Sequence, residues 1–397
     1  MNSKAWWVRN SFFVAGLACL AVTPLLARAG GASTEELLQP STEALPVGKN
    51  GVYAFPLGNF VDQQTAMAVL PKGGFILVYS RLKGGYLRNS RLWFVVSRNG
   101  RTFSKPELIP FEGEPEFSGK AVASEAFVTD KNNTWLYFES SDQNYTHLKL
   151  WRSRLSGTTF SAPVRLPSVP GLNSLAALPS WVNAGSDTYL TFRGKRGMPY
   201  WTRLKGGMAQ GEPQRLEAFG VGFSRVVPMA GGGCFFSYQT PWKAGGMATY
   251  YRVSHDCSHW SAPALLSHQP NRYKGKPVAQ IVVHDAYALP RLHSGVDVYY
   301  SAVEYKGKRA VRSPFGFILY RRSVMPNGTL GPVQLLTSKP EFYPFCASAH
   351  RLPDEAVLVT FSDIHKTGDD IYLKGVRLVT SSNLTIFKLK NDAPMPK

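Results

Sequence analysis

The chain has 397 residues and a formal net charge of +19, and this charge attracts anionic partners such as acidic glycans and membrane surfaces. No recognised nucleic-acid-binding motif occurs, which argues against a nucleic-acid-binding protein, and no stretch after residue 29 is apolar enough to predict a membrane span. A basic surface with no dedicated partner is the alternative interpretation.

Residues 1–29 have the pattern of a secretory signal peptide. A positively charged start precedes a mostly apolar core from Ser11 to Leu26, and Ala27-Arg28-Ala29 is a small-x-small cleavage site. Its removal takes away three basic residues and no acid, which leaves a mature charge of 19 − 3 = +16. The sequence therefore predicts a secreted or periplasmic protein, in which residues 30–50 form a polar linker.

From residue 51 to residue 397, short β-type runs alternate with Gly, Pro, Asn and Asp. No stretch shows a helical period, and an aromatic content of 13% suits sheets that stack face to face. In chain order, the clearest runs are Phe75–Tyr79, Leu92–Val96, Trp135–Phe138, Tyr189–Phe192, Val296–Tyr300 and Ala356–Phe361. The sequence therefore predicts one all-β domain.

A polar turn recurs after several of these runs, and each copy ends in an aromatic residue, a Ser and a Pro. The clearest copies start at Ser97, Ser153 and Ser254. The prolines that close the units are Pro106, Pro163, Pro213, Pro263 and Pro332. Units of about 50 residues with four strands have the size of propeller blades.

The repeat predicts six blades, each reading strand, turn, strand, longer loop, strand, polar turn, strand. Their expected limits are residues 60–110, 119–167, 173–217, 221–267, 280–337 and 343–390. A β-sandwich with many insertions is the alternative, and it explains the strands but not the recurring turn.

The copy in unit four contains Ser254, Asp256 and His259, three residue types of a nucleophilic triad. A triad needs a base that a third group orients toward the nucleophile, and residues this close in one turn rarely reach that geometry. Ser and Asp side chains also bond nearby backbone in turns. We therefore expect a structural turn between the third and fourth strands.

Three cysteines remain after the signal. Cys234 begins the second strand of unit four, and Cys257 lies in the turn after its third strand, on the same face. In an oxidising compartment this placement predicts a disulfide with a Cα separation below about 7 Å. Cys346 is expected to be a buried free thiol.

The recurring turn resembles the Asp-box, Ser-x-Asp-x-Gly-x-Thr-Trp, of the sialidase-type propellers with BNR repeats. The copy from Ser153 to Phe160 fits at full length, with Leu155 where Asp belongs, and the copies that begin at Ser97 and Ser254 are one residue short. The resemblance covers about residues 60–390. It implies an all-β, sialidase-like, six-bladed β-propeller.

In the sialidases, the site lies at the centre of one face, lined by first strands and by loops after second strands. Three arginines grip a carboxylate, a Tyr nucleophile pairs with a Glu, and an Asp is the acid/base. By position, Arg81 and Arg312 resemble two of those arginines, and Tyr343 resembles the nucleophile. The resemblance thus implies ligand-binding and catalytic roles for these three residues.

The chain also departs from the family pattern. The loop after Arg81 has no Asp, and the first strand of unit four carries Arg225 in place of the nucleophile's Glu. Arg193 and Arg225 add positive charge near the expected site, but an arginine does not restore proton transfer. The resemblance therefore leaves open whether the protein is an enzyme.

Other carboxylates lie on first strands or near loops after second strands. The best candidates for paired catalytic carboxylates are Glu125, Asp285 and Glu304. Each has an alternative role as a solvated loop residue, or as a buried residue tied to backbone. The pairs His284-Asp285 and Asp363-x-His365 are weak metal-ligand signals, and we predict no metal or cofactor.

Together these patterns predict an exported, monomeric, sialidase-like propeller that acts on or binds a carbohydrate, most simply an anionic glycan. As an enzyme it would be a glycoside hydrolase. The first alternative is a non-catalytic propeller that binds glycan or protein. The second is a polysaccharide lyase in which Tyr343, with a nearby His and Arg, abstracts a proton beside a neutralised carboxylate.

Overall fold

A computed structural model of the chain describes its strands and most of the turns between them. The described residues are 53–58, 65–83, 86–100, 102–111, 121–130, 133–141, 149–167, 169, 180–184, 187–193, 198–216, 224–241, 247–266, 272–273, 276–277, 280–306, 309–310, 317–336, 344–365, 371–373, 376–378 and 381–389. Within them every regular element is a β-strand. The predicted signal and the linker lie outside the described residues.

The strands are short, and most are bounded by turns. The first fifteen are β1 (Tyr53–Gly58), β2 (Ala66–Val69), β3 (Phe75–Lys83), β4 (Tyr86–Ser97), β5 (Glu107–Leu108), β6 (Ala121–Asp130), β7 (Asn133–Ser141), β8 (Lys149–Ser156), β9 (Thr159–Phe160), β10 (Val164–Arg165), β11 (Ser180–Ala184), β12 (Asp187–Arg193), β13 (Pro199–Lys205), β14 (Met208–Ala209) and β15 (Gln214–Arg215). The others are β16 (Ser224–Pro228), β17 (Cys234–Pro241), β18 (Met247–Ser254), β19 (Ala264–Leu265), β20 (Arg272–Tyr273), β21 (Lys276–Pro277), β22 (Gln280–Pro290), β23 (Val296–Lys306), β24 (Arg309–Ala310), β25 (Phe317–Val324), β26 (Gln334–Leu335), β27 (Pro344–Arg351), β28 (Val357–His365), β29 (Ile371–Leu373), β30 (Val376–Leu378) and β31 (Ser381–Leu389).

Among the described residues, the strands assemble into six antiparallel sheets of four or five strands, numbered here along the chain. Sheet 1 is β2-β3-β4-β5, sheet 2 is β6-β7-β8-β10 with β9, and sheet 3 is β11-β12-β13 with β14 and β15. Sheet 4 is β16-β17-β18-β19, sheet 5 is β22-β23-β25-β26 with β24, and sheet 6 is β27-β28-β31-β1. Two further two-stranded sheets are β20-β21 and β29-β30.

Neighbouring sheets pack face to face through hydrophobic side chains. One such layer joins sheets 4 and 5 and includes Val227, Phe235, Val298 and Tyr300. Similar layers join sheets 1 and 2, sheets 2 and 3, sheets 3 and 4, and sheets 5 and 6. Sheets arranged this way form a β-propeller, with side chains of both faces of each sheet buried against a neighbour.

The ring closes between sheet 6 and sheet 1. Buried side chains of both sheets, among them Leu77, Trp93 and Leu358, form one hydrophobic cluster. Among the described residues, the strand nearest the N-terminus, β1, pairs with β31 and completes the sheet that contains the last described strands. The first and last described strands are therefore held in one sheet, which the sequence analysis did not predict.

Four loops between first and second strands share one five-residue conformation. In each, the N–H of the first residue donates to the carbonyl of the fifth at 2.8–3.1 Å, as in Leu70 to Gly74 and Met229 to Gly233. Gly74 has a φ of +80°, which favours glycine. A Cβ on Gly74 would also lie 2.6 Å from the carbonyl oxygen of Ser97, at the end of the third strand.

The polar turns of sheets 1 and 4 lie between the third and fourth strands, as predicted. Ser97 Oγ accepts from the N–H groups of Asn99 and Gly100 at 3.3 and 2.9 Å. Ser254 Oγ donates to Asp256 Oδ1 at 2.9 Å, and Asp256 Oδ1 accepts the backbone N–H of His259 at 2.8 Å. These serines close turns.

The structure confirms that Ser254, Asp256 and His259 are not a nucleophilic triad. Ser254 Oγ bonds Asp256, while His259 Nδ1 lies 2.6 Å from Asp256 Oδ2, so the carboxylate stands between the hydroxyl and the imidazole. The backbone N–H of His259, followed by its imidazole, holds the pKa of Asp256 well below its usual range. Hydrogen bonding to Asp256 raises the pKa of His259.

The interpretation of Ser153 as the full-length copy of the turn is wrong. Ser153 lies inside β8, where its Oγ donates to the Ser161 carbonyl at 2.6 Å. The connection that follows is a tight hairpin in which Ser156 pairs with Thr159. Leu155 therefore occupies the position that the turn-closing serine has in sheets 1 and 4, and a hairpin needs no serine there.

The aromatic residue of each turn packs against the strands, as the sequence suggested. Phe103 lies edge-on to Phe75, with ring centroids 6.1 Å apart, and Trp260 lies 5.6 Å from Phe236. Phe160 of sheet 2 lies 5.8 Å from Phe94 of sheet 1. These aromatic side chains help to fill the space between sheets.

The predicted disulfide between Cys234 and Cys257 is present, with Cα atoms 5.1 Å apart. Cys234 is fully buried at the start of β17, and Cys257 has a φ of 61° in the turn after β18. The bond therefore fastens this turn to the second strand. The prediction for the thiol of Cys346 lies outside the described side chains.

No helix in the described part of the chain is long and apolar enough to cross a membrane.

Replacing Gly74 by Ala should lower the free energy of unfolding more than replacing Gly73 by Ala. Both residues have a positive φ, at +80° and +87°, so both substitutions carry a similar backbone cost of about 1–2 kcal/mol. Only the Cβ at position 74 meets the Ser97 carbonyl, whereas a Cβ at position 73 meets nothing within 4 Å. The collision should add about 1–3 kcal/mol, measured by urea denaturation. Equal losses would contradict the close approach.

Candidate functional site

The first strands of the sheets, β2, β6, β11, β16, β22 and β27, lie at sheet edges. First strands of neighbouring sheets contact each other, as β16 and β22 do, and β22 and β27. In a propeller these strands surround the central axis. Residues distant in sequence can therefore meet there, and the described part of the axis contains such a group.

Arg225 on β16 and Tyr287 on β22 form the first part of this group. The Arg225 guanidinium lies over the Tyr287 ring, 4.1 Å from its centroid, which is a cation–π geometry. Arg225 is 7% exposed. Burial lowers the pKa of Arg225, and the attraction and hydrogen bond of the Tyr287 hydroxyl oppose that shift.

His350 on β27 lies on another side of Tyr287. The two rings are edge to face, with centroids 5.9 Å apart. His350 is buried, and its pKa falls to about 3, first because burial disfavours the charged imidazole and second because Arg225 repels it. The imidazole is therefore neutral at neutral pH, beside a cation.

The hydroxyl group of Thr65, at the start of sheet 1, holds the His350 imidazole through a hydrogen bond. Thr65 Oγ1 and His350 Nε2 share a hydrogen bond of 2.7 Å, and Thr65 Oγ1 also lies 2.8 Å from Thr360 Oγ1. The Thr65 N–H donates to Ser348 Oγ at 3.0 Å. These bonds link the start of β2 to β27 and β28, so polar contacts reinforce the closure between sheets 1 and 6.

We call Thr65, Arg225, Tyr287 and His350 the axial cluster. Its members come from sheets 1, 4, 5 and 6, and Tyr287 is the one that is only partly buried. The cluster places a guanidinium, a phenol and a neutral imidazole at the axis. These groups can bind an anion, donate hydrogen bonds and transfer a proton. Among the described residues no group of three or more His, Cys, Asp or Glu side chains could hold a metal ion.

Three first strands have bulges, and two of these bulges lie beside predicted carboxylates. Pairing shifts between Ala123 and Ala126 in β6, between Val283 and Asp285 in β22, and between Phe345 and Ser348 in β27. The extra residues lie four to six positions before the last paired residue of each strand, so the bulges are at similar heights. Bulges re-aim side chains and are frequent beside active sites.

Of the predicted catalytic residues, three have described strand positions. Glu125 lies in the bulge of β6, Asp285 follows the extra residue of β22, and Glu304 lies on β23 opposite Ile281. Glu304 lies near the end of the propeller where first strands begin and second strands end, whereas Glu125 and Asp285 lie near the middle of their strands. Tyr343 precedes β27 and lies outside the described residues.

Of the predicted ligand-binding arginines, Arg225 has the contacts given above. Arg81 lies near the end of β3 opposite Arg91, and Arg193 ends β12 opposite Pro199. Both positions are near the end of a second strand, the same end of the propeller as Glu304. Arg312 lies between β24 and β25, outside the described residues.

The sequence analysis missed Tyr287, His350 and Thr65 as members of an axial cluster. A signal was available for Tyr287, because Arg225 and Tyr287 each lie three residues before the end of a first strand, at Pro228 and Pro290. Strand patterns alone do not show which first-strand residues face each other across the axis.

Comparison of the fold with solved structures gives glycoside-hydrolase propellers. The Hadza microbial sialidase Hz136 has a TM-score of 0.56 at 12% identity, covering 85% of this chain and 68% of its own. The NanB sialidase of Streptococcus pneumoniae has 0.56 at 10%, covering 91% and 73%. The α-L-arabinanase of Penicillium chrysogenum has 0.55 at 10%, covering 83% and 97%.

At these identities the likeness shows the fold, a β-propeller like those of sialidases. No family model matches the chain, and no curated protein matches it. Any activity therefore has to be argued from the chain's own residues.

Acidification should destabilise the protein through His350. The pKa of His350 is about 3 in the folded state against about 6.5 in the unfolded chain, so only the unfolded state takes up a proton between these values. Stability should fall as the pH drops below 6.5, by about 2–3 kcal/mol at pH 4.5 from this group alone. The free energy of unfolding at pH 7 and pH 4.5 measures this loss.

In His350→Gln the loss between pH 7 and pH 4.5 should shrink by that amount, whatever the variant's stability at pH 7. His293→Gln is the matched control, because His293 is exposed on the loop between β22 and β23. The same loss in wild type and His350→Gln would show that His350 is not held neutral.

Proposed function

We propose that the protein is an exported, sialidase-like propeller that binds or acts on an anionic glycan at its axis. The observation that carries the proposal is the buried Arg225 on a first strand, held against Tyr287 at 4.1 Å. A cation in a poorly solvated site at the axis attracts a negatively charged ligand strongly. The net charge of +19 acts in the same direction at long range.

The six sheets of the described chain support a six-bladed ring, with sheet 6 closed by β1. The turns at Ser97 and Ser254 support a distant relation to Asp-box repeats. Export rests on the signal-like residues 1–29 and agrees with the disulfide between Cys234 and Cys257. We further propose that the protein is a monomer.

Hydrolysis would use residues at the end of the axis where first strands begin. We assign the nucleophile to Tyr343 and proton transfer to a pair among Glu125, Asp285 and Glu304. Ligand binding is assigned to Arg225 with Arg81, Arg193 and Arg312. The bulges in β6 and β22 support this assignment, because they occur beside Glu125 and Asp285.

A non-catalytic glycan-binding propeller is the second candidate, and Arg225 favours it. In the sialidase pattern this strand carries the Glu that pairs with the Tyr nucleophile. Here the same strand carries an arginine engaged with Tyr287. An arginine retains attraction for an acidic sugar but does not accept a proton, so recognition can persist where hydrolysis is lost.

Purified protein should bind acidic glycans more tightly than neutral ones, because the axis carries a buried cation. The test is a screen of sialylated, uronate-rich and neutral oligosaccharides, scored both for binding and for release of sugars. Binding of neutral glycans alone, or of none, would contradict the proposal.

The variant Tyr343→Phe separates hydrolase from binding protein in the same screen. Loss of sugar release by about 100-fold or more with binding retained is expected for a Tyr nucleophile. Tyr250→Phe, on the third strand of sheet 4, is the matched control and should release sugar at the wild-type rate. Sugar release unchanged in Tyr343→Phe would exclude the Tyr343 mechanism, and binding without release by wild type would establish the binding candidate.

A further inference from the structure

The polar turns of sheets 1 and 4 are closed by the same hydrogen bonds. In sheet 1 the Ser104 N–H donates to the Val96 carbonyl at 2.8 Å, and in sheet 4 the Ser261 N–H donates to the Val253 carbonyl at 2.9 Å. Each serine hydroxyl also accepts the N–H of the same partner residue, at 3.0 and 3.1 Å. The turn of sheet 1 is therefore a matched reference for the turn of sheet 4.

The two turns differ at one backbone position. Gly100 lies three residues after Ser97 and has a φ of 70°, whereas Cys257 lies three residues after Ser254 and has a φ of 61°. Glycine adopts this left-handed conformation readily, but a residue with a Cβ does not. A cysteine bonded to Cys234 thus occupies a glycine position. The turn of sheet 4 needs a compensating interaction that the turn of sheet 1 does not need.

The turn of sheet 4 also covers the junction with sheet 3. Cys257 and Trp260 pack against the hydrophobic layer between these two sheets. On β18, Arg252 Nε donates to the carbonyl of Ser261 at 2.5 Å. Its Nη1 lies 3.4 Å from the carbonyl of Leu216, which directly follows β15 of sheet 3. The position of the turn therefore affects contacts between two neighbouring sheets.

We propose that the disulfide between Cys234 and Cys257 is a redox-sensitive switch that holds this turn against the layer between sheets 3 and 4. In the reduced chain, Cys257 keeps its unfavourable φ without a bond to β17, so the turn leaves the layer more often. The hydrogen bonds of Asp256 join Ser254 to His259 within the turn and do not replace that bond. In an exported chain, oxidising conditions complete the junction after export.

The covalent step is a thiol–disulfide exchange. Formation of the bond releases two protons and two electrons, and a disulfide-bearing oxidant takes up the electrons as it becomes a dithiol. In the reverse direction a thiolate attacks one sulfur. Cys257 is partly exposed and Cys234 is fully buried, so attack occurs at Cys257, and Cys234 leaves as a thiolate that takes a proton. The second thiol of a small dithiol such as dithiothreitol then releases Cys257 from the mixed disulfide.

The test is amide hydrogen exchange of Ser261 and Ser104 at pH 7, in the oxidised protein and after reduction with dithiothreitol that mass spectrometry shows to be complete. Reduction should speed the exchange of the Ser261 amide by about 5- to 30-fold, the factor that corresponds to the cost of a left-handed conformation in a non-glycine residue. The Ser104 amide should stay within about twofold, because its turn has glycine and no disulfide.

Two variants separate the backbone conformation from the bond. Cys257→Gly gives the turn the residue that sheet 1 has, so the Ser261 amide should exchange within about twofold of the oxidised wild-type rate, with or without dithiothreitol. Cys234→Ala keeps Cys257 but forms no bond, and should show the fast exchange of the reduced wild type without any reductant.

Slow exchange of Ser261 in the fully reduced wild type would overturn the proposal. A rise of equal size at Ser104 would also overturn it, because the loss of structure would then be general. If dithiothreitol leaves the bond of the folded protein intact, Cys234→Ala takes the place of the reduced protein, and slow Ser261 exchange there overturns the proposal. If Cys234→Ala does not fold, Cys257→Gly decides, and fast Ser261 exchange in this variant contradicts the role of the glycine position.

Discussion

Closure of the ring between sheet 6 and sheet 1 is the constraint on which the rest of the structure depends. Strand β1 completes the sheet of β27, β28 and β31, and a hydrophobic cluster containing Leu77 and Leu358 joins the two sheets. Hydrogen bonds from Thr65 to Ser348 and His350 join them again near the axis. An open stack would leave one face of sheet 1 and one face of sheet 6 in water, whereas closure buries both and turns six sheet edges toward a common axis.

The axis then concentrates polar groups in a poorly hydrated place. Arg225 and His350 would repel each other if both were charged, and burial together with this repulsion keeps the imidazole neutral. The Tyr287 side chain contacts both groups: the Arg225 guanidinium lies over its ring, and the His350 imidazole is in edge-to-face contact with it. Because buried polar groups are costly unless they are satisfied, this arrangement is tightly specified. His350 takes part both in the closure of the ring, through its hydrogen bond with Thr65, and in the surroundings of the Arg225 charge that a ligand would meet.

Much of the fold could be predicted from the sequence, because strand runs and turns are local patterns. The prolines at 106, 163, 263 and 332 lie close to the fourth strands of their sheets, and the placement of Cys234 and Cys257 predicted their disulfide. The prediction of a turn failed at Ser153, because this serine lies inside a strand although its sequence resembles the start of the polar turn. The role of β1 and the axial cluster could not be predicted, since Tyr287 and His350 are 63 residues apart and meet only when two sheets are packed. The sequence can show that Arg225 and Tyr287 lie at matching heights on first strands, but not that Tyr287 contacts His350.

The most direct test of the account is a crystal structure of the protein with the acidic oligosaccharide that binds most tightly. The account predicts the sugar at the axis, with its carboxylate directed toward Arg225 and with the guanidinium still over the Tyr287 ring. A sugar bound on the outer strands, or an axial sugar whose carboxylate points away from Arg225, would contradict it.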